Sequence, residues 1–494
     1  MIKGTATMKP AAPLGMAYIA GAIKRDHHQL QVIDGIAENI YDFHDTELGK
    51  NIIIQGMSPE QIVKKVPEDV EVIGLSCMFS NNWLLDRRLI QLLKQRFQNA
   101  VLVAGGESIS GMPEYALKDS LLDVCVVGEG EEVMCDLLRA LETGADLSTV
   151  KGIVYKKEGK IFTNPRRERI RDLDQIAFPA WEYFPTDAYF KYQITWMPTT
   201  HRSLPMLATR GCPYTCTFCS SPQMWTTKYS LRSPENILSE MVSLYEKFGV
   251  TNFELFDLTA VINRHWVLEF SKLLQRHPVK FTWQMPAGTR SEALNSEVIQ
   301  QMALGGCTNI TFAPESGSSE VLKSIQKKAD PAKMLPAMKT AAGLGMYIYL
   351  NTIIGLPGEK HEDVWKTIVF LLKAAAAGAD DTGVGVFMPY PGSQLFREME
   401  RSGTLMLNDE FFYDILKIDS FGESKFFNKE ISPAMYRFYN VFMLLAFYAC
   451  SFTCRPMRLF KTVRNVAMKN YVTRSEKTLG YLLEQLSEKK PRLA

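Results

Sequence analysis

Cys212, Cys216 and Cys219 fall within TRGCPYTCTFCSSP, residues 209–222, in a C-x3-C-x2-C pattern. Three thiols this close can grip a compact metal centre, because thiolates are the ligands of both zinc and iron–sulfur clusters. Structural zinc would want a fourth Cys or His. The next cysteine along the chain is Cys307, and His201 lies on the far side of the preceding apolar run. A catalytic zinc can use three ligands. A cubane suits three better still, since three thiolates hold three irons and leave the fourth for a small molecule. Gly211 and Pro213 help to bend the backbone tightly, and Tyr214 and Phe218 can shield such a centre from water.

The elements that must position this loop follow a regular alternation. From residue 204 onward, LPMLATRG, NFELFD, KFTWQMPAG, NITFAPESG, YIYLNTIIGLPGE and TGVGVFMPYPG alternate with helical patterns at 234–248, 264–276, 291–304, 331–344 and 361–377. Near-continuous apolar runs joined by helices predict parallel strands. About six such units suit a partial parallel α/β barrel, with its chemistry at the strand C-termini.

The cysteine spacing, an aromatic before the last Cys and a place after the first barrel strand together resemble the radical S-adenosylmethionine (SAM) superfamily. The resemblance implies a [4Fe-4S] cluster on Cys212, Cys216 and Cys219. It also implies SAM chelated to the unique iron and reductive cleavage to a 5′-deoxyadenosyl radical. Matching segments then imply SAM or substrate contacts from Asp257 of FELFD, Arg290 of PAGTRSEAL, Glu315 and Ser316 of FAPESGS, Gly355 of IIGLPGE, and Pro389 and Tyr390 of FMPYPGS.

The first 150 residues predict a second α/β unit. LGMAYIAGAIKR and residues 82–97 read as helices, and LQVID, VEVIGLSCM, AVLVAGG and DVCVV as strands. This is a doubly wound, Rossmann-like parallel sheet, and ligands of such sheets lie over the strand C-termini. Those ends carry Ser76, Gly105, Gly106, Gly128, Glu129 and Gly130. The order of these segments resembles the cobalamin-binding domain that precedes the barrel in one large radical SAM subfamily. Bare glycine turns suit a broad, flat corrin. Two departures stand out: MIKGTATM is a poor first strand, and the chain reads Gly105-Gly106-Glu107-Ser108 where many relatives carry His after GG-x. Asp26-His27-His28 begins like a cobalt-ligating signature but has Gln31 where that signature needs Gly, so His28 is expected on the exposed surface.

Residues 151–200 read as a linker with a possible hairpin, GIVYKKEGKIFTN, and an aromatic, proline-containing stretch packed between domains. Domain boundaries are therefore expected at 1–150, 151–200, 201–400 and 401–494. A net charge of +2 gives no global case for nucleic-acid binding. Nine scattered cysteines and no signal-like N-terminus point to a reduced, cytoplasmic setting.

Residues 438–454 are uncharged and apolar, and ten Lys/Arg follow in 455–494 against three Glu. A buried helix is expected there, with peripheral attachment to an anionic membrane as the alternative. Met435, Phe438, Tyr439, Phe442, Met443, Phe447 and Tyr448 could cap an apolar substrate, or simply pack. Together these features lead to a cobalamin-dependent radical SAM methyltransferase acting on an unactivated carbon of a small molecule. Its electrons would come from a flavodoxin or ferredoxin. A porphyrin-cyclase-type radical enzyme and a non-catalytic cobalamin or metal sensor are the other readings.

Overall fold

The computed structural model describes residues 10–26, 28–49, 52–289, 294–417 and 425–487. Its N-terminal sheet contains β1 (Val72–Ser76), β2 (Val101–Gly105), β3 (Val124–Val126), β4 (Ile153–Lys157) and β5 (Lys160–Thr163), in that spatial order. The first three strands are parallel, and the last two form an antiparallel hairpin. Because side chains alternate across a strand, Leu102, Ala104 and Cys125 pack with Trp83, Ile90 and Leu93 of helix α2 (Trp83–Arg96). Val103, Val124 and Val126 pack with Ile23 of helix α1 (Leu14–Ile23) and with Val133 and Leu137 of helix α3 (Glu131–Thr143) on the other face. The sheet is thus doubly wound.

Three expectations change here. The hairpin read as part of a linker pairs with β3, so the N-terminal sheet runs past residue 150. LQVID lies extended without forming a strand. A parallel strand exists only beside a neighbour, and β1 has none on its outer side among the described residues. His28 is half-buried rather than exposed.

The second sheet comprises β6 (Ser203–Met206), β7 (Asn252–Leu255), β8 (Thr282–Thr289), β9 (Cys307–Glu315), β10 (Tyr347–Ile354) and β11 (Asp381–Val386). All six are parallel and adjacent in chain order, as a partial barrel requires. Helices α4 (Pro234–Phe248), α5 (Arg264–Arg276), α6 (Ser296–Leu304), α7 (Pro331–Gly343) and α8 (His361–Ala377) make the crossovers. Their ends are well signalled. In α4, Ser233 accepts the Asn236 N–H at the start, and Gly249 closes the helix in the left-handed region at φ 68°. At the mouth the ladders slip, between Met285 and Thr289 on β8 and between Phe312 and Glu315 on β9. Pro286 and Pro314 fall in those intervals and have no N–H to donate.

Helix α9 (Pro433–Cys454) lies along α8 and β11, covering the flank of the last strand. Asn440 donates to the Val384 carbonyl at 2.9 Å, and Tyr448 donates to Asp381 at 3.2 Å. Tyr439, Met443 and Phe447 are in the barrel's core, so they pack rather than cap a substrate. Among the described residues no helix is long and apolar enough to cross a membrane.

Candidate functional site

The cysteine loop is built by its anchors. After β6 the chain pairs Thr209 with Leu231 and Arg210 with Ser230, pinching the loop at its base. Asp257, just beyond β7, is buried and accepts the N–H of Ala208 at 3.1 Å and that of Thr209. Burial pushes its carboxyl up to about 6, and the two N–H donors oppose that shift. Gly211 sits at φ +85°, where a Cβ would run into the Lys228 carbonyl. Further along, Thr217 donates its N–H to Ile325 O at 3.0 Å and accepts from Leu395 N at 2.9 Å. Ile325 follows β9 and Leu395 follows β11, so the loop is stitched across the barrel mouth.

Cys212, Cys216 and Cys219 are all half-buried on this loop. Burial pushes Cys219 up to about 11, and the charges of Glu107 and Cys216 add to the rise. A metal binding there displaces that proton. No three His, Cys, Asp or Glu side chains among the described residues are gathered as a ready metal-ion site. A cubane asks for something else: one thiolate for each of three separate irons, on a loop that can wrap it. The candidates for a fourth zinc ligand are misplaced. Cys307 opens β9, some 25–30 Å along the strand from the mouth at ~3.3 Å per residue. His201 precedes β6 at that same far end and meets Thr251 Oγ1 at 3.4 Å. The donor set fits a cluster.

The barrel residues singled out by sequence are mostly committed to the protein itself. Glu315 ends β9 at φ 60°, a strained region for a non-glycine residue, and its carboxylate meets Lys327 Nζ at 2.7 Å, with both side chains nearly enclosed. The Ser316 hydroxyl lies 3.1 Å from Thr367 Oγ1 and accepts the Ser318 N–H at 3.1 Å. Gly355, at φ +86°, donates its N–H to Glu359 at 2.6 Å. Pro389 is buried beside Tyr390, whose side chain is partly exposed. Arg290 lies outside the described residues. What the mouth leaves open is polar: Glu359 Oε1 and Thr217 Oγ1 are buried without a hydrogen-bond partner among the described residues. Unpaired buried acceptors are costly and mark a place for a polar ligand.

The rim of the N-terminal sheet divides into two halves. At the end of β1, Ser76 and Phe79 are exposed, a Cβ on Gly74 would meet nothing within 4 Å, and one on Gly105 would meet only Val126, at 3.7 Å. This is a bare backbone shelf that fits a flat macrocycle. The other half is closed against protein. A Cβ on Gly106 would lie 2.6 Å from Cys77 O, one on Gly130 2.7 Å from Ile19 Cδ1, and one on Gly128 3.3 Å from Arg166 Nη2.

Glu107 and Glu129 reach across to the barrel. The Glu107 carboxyl accepts the Ser220 hydroxyl, immediately after Cys219, and Ser221 Oγ at 3.5 Å. Glu129 is paired with Arg169 Nε at 2.7 Å and Arg210 Nη1 at 3.0 Å, and Glu131 also pairs with Arg210. These four side chains are nearly enclosed. Arg210 stands two residues before Cys212, so the sheet grips the cysteine loop from outside the barrel.

Sequence reasoning missed Arg169, Arg210, Glu131 and Glu359 as site residues. Only the acidic run GEGEE opposite an arginine beside the first cysteine offered a hint.

A model of the radical SAM superfamily matches residues 206–371, and one of the B12 binding domain matches residues 8–138. The chain is 30% identical over 386 residues to an uncharacterized methyltransferase of Pyrococcus horikoshii, covering 78% of this chain and 77% of that one. It is 28% identical over 422 residues to the cytidylyl-2-hydroxyethylphosphonate methyltransferase of Streptomyces wedmorensis, covering 79% and 78%. In fold it is similar to the radical SAM methyltransferase TsrM of Kitasatospora setae, solved with cobalamin and a [4Fe-4S] cluster bound. That match has a TM-score of 0.63 at 16% identity and covers 80% of this chain and 76% of that one.

Proposed function

The chain belongs to the radical SAM superfamily, in the branch that carries a B12-binding domain, and on that footing we propose that it is a cobalamin-dependent methyltransferase of a small molecule. When bound, the cluster, SAM and cobalamin supply reductive cleavage of a carbon–sulfur bond and delivery of a methyl group. Cys212, Cys216 and Cys219 would hold the cluster. The mouth around Glu315, Gly355 and Glu359 would take SAM, and the shelf at Gly74, Ser76 and Gly105 would take the corrin.

The single observation that carries this reading is the junction. Glu107, at the rim of the N-terminal sheet, hydrogen-bonds Ser220 directly behind Cys219, so the two cofactor faces meet at one loop. The chain's own residues then do the positioning. Asp257 holds the backbone that leads into the loop, and Thr217 ties the loop's middle to two strand ends. The Glu129–Arg210–Glu131 group fixes the loop's start against the sheet. Enclosure between two domains excludes water, which protects reactive intermediates.

The partners we assign are a small-molecule substrate, a flavodoxin- or ferredoxin-type electron donor and, through the C-terminal helices, a membrane surface. The testing experiment is anaerobic reconstitution with iron, sulfide and cobalamin, followed by SAM and dithionite. Stoichiometric 5′-deoxyadenosine or methyl transfer from SAM supports the reading. Absence of both in a cluster-loaded enzyme refutes it.

A further inference from the structure

Helix α10 (Pro456–Ala467) is built inside out. Its buried side chains are Arg458, Thr462 and Asn465. At spacings of four and three these form one stripe of a helix, and that stripe is polar. Arg458 pairs with Asp381 Oδ1 at 3.2 Å and donates to Ser451. Asn465 donates to Glu476 Oε1 at 3.0 Å, tying α10 to helix α11 (Arg474–Ser487). The outer arc is apolar instead: Met457, Phe460 and Val463 are at least 60% exposed, and Leu459 is 45% exposed. Met468 just beyond α10, and Leu479, Leu482 and Leu483 on α11, are exposed as well.

Among the described side chains, the exposed charges on this surface have one sign. Lys461, Arg464 and Lys469 are exposed, whereas Glu476 is buried. Long basic side chains beside exposed apolar ones are the composition of a helix lying in a lipid interface, where the stems stay in the apolar layer and the charged ends reach the headgroups.

Resting on the membrane partner assigned above, we infer that the outer face of α10, continued on α11, docks on an anionic lipid surface. The seat is not the apolar run 438–454, whose helix is partly buried against α8 and β11. A second copy of the chain is the poorer occupant. A two-fold contact would set Lys461, Arg464 and Lys469 against their own copies, whereas an anionic leaflet complements them. Apolar burial and charge attraction then act together, and the charge part weakens with salt.

The test is flotation of the full-length protein with vesicles of phosphatidylcholine alone or mixed with phosphatidylglycerol, at low and high salt. Binding to the mixed vesicles, reduced by salt, is expected. Phe460→Glu with Val463→Glu should lower it by about tenfold or more. Lys461→Gln with Arg464→Gln should remove most of the preference for the anionic lipid. Leu304→Glu, an exposed apolar residue on α6 (65% exposed), should bind as the unaltered protein does.

The inference is overturned if the protein fails to float with either vesicle, or if the Phe460→Glu, Val463→Glu double variant floats undiminished. It is also overturned if the main effect of that double variant is to dissociate a dimer in light scattering. Vesicle binding is read without SAM turnover, so this inference and the proposed catalysis fail separately.

Discussion

The two rims that face each other in this protein are finished differently. On the barrel side nearly every polar residue singled out by sequence has a protein partner: Asp257 holds two backbone N–H groups, Glu315 holds Lys327, and Ser316 contacts Thr367. On the N-terminal sheet, the β1 end is bare, while Glu107 and Glu129 reach over to the barrel. A rim wired to itself holds a loop in one shape. A bare rim leaves room for a large flat ligand. The chain has both, joined at the arginine that precedes Gly211 and Cys212.

The largest effect is expected from breaking the joint. Arg210→Met leaves Glu129 and Glu131 buried without their shared cation, which costs on the order of 3–5 kcal/mol. A urea titration of the unloaded protein should show it as a lower midpoint, with iron incorporation falling alongside. Gly211→Ala attacks the wired rim at its tightest point, because alanine disfavours φ +85° and its Cβ meets a carbonyl. Iron and sulfide content should fall while far-ultraviolet dichroism stays unchanged.

Asp257→Asn sharpens the contrast more gently. An amide presents one acceptor oxygen to two N–H groups, a loss of roughly 1–3 kcal/mol, read as a lower melting temperature and reduced cluster loading.

Glu359 gives a pH signature. Burial pushes its carboxyl up to about 7, against the Gly355 N–H and Tyr436 hydroxyl that oppose the shift. The folded state therefore binds that proton more tightly than the unfolded chain. Its contribution to stability is present at low pH and is lost as pH rises from the ordinary glutamate value through about 7. Glu359→Gln should reduce the fall in melting temperature between those limits. If the mutant and the native protein fall in parallel, Glu359 is not the group responsible.

The smallest effect on stability belongs to the bare rim. Ser76→Trp, on an exposed side chain, should change folding by less than about 0.5 kcal/mol while lowering cobalamin uptake in gel filtration.

How far these features were legible follows from their range. Strand ends, the barrel order and the cysteine loop are local patterns, and residues 204–395 carry them in full. LQVID reads as a strand by composition yet does not form one, because strand formation depends on a neighbour that its own residues do not encode. The partners of Glu129 and Glu107 lie dozens of residues away on another domain, where no periodicity points. In sequence Asp257 reads as facing a ligand, yet a polar group at a strand end can serve either a ligand or the loop backbone, and here it holds the backbone N–H groups of Ala208 and Thr209. Helix α10 is legible as amphipathic but not as inverted, since a pattern names the two faces and not which one turns inward.

One measurement tests the central claim most directly: Mössbauer spectroscopy of the anaerobically reconstituted protein, beside a triple variant with Cys212, Cys216 and Cys219 changed to Ala. A [4Fe-4S] signal in the native protein, whose unique iron shifts when SAM is added and which disappears in the variant, is the result expected. A protein that takes up no cubane, or that holds one zinc ion on those three cysteines, would contradict the account.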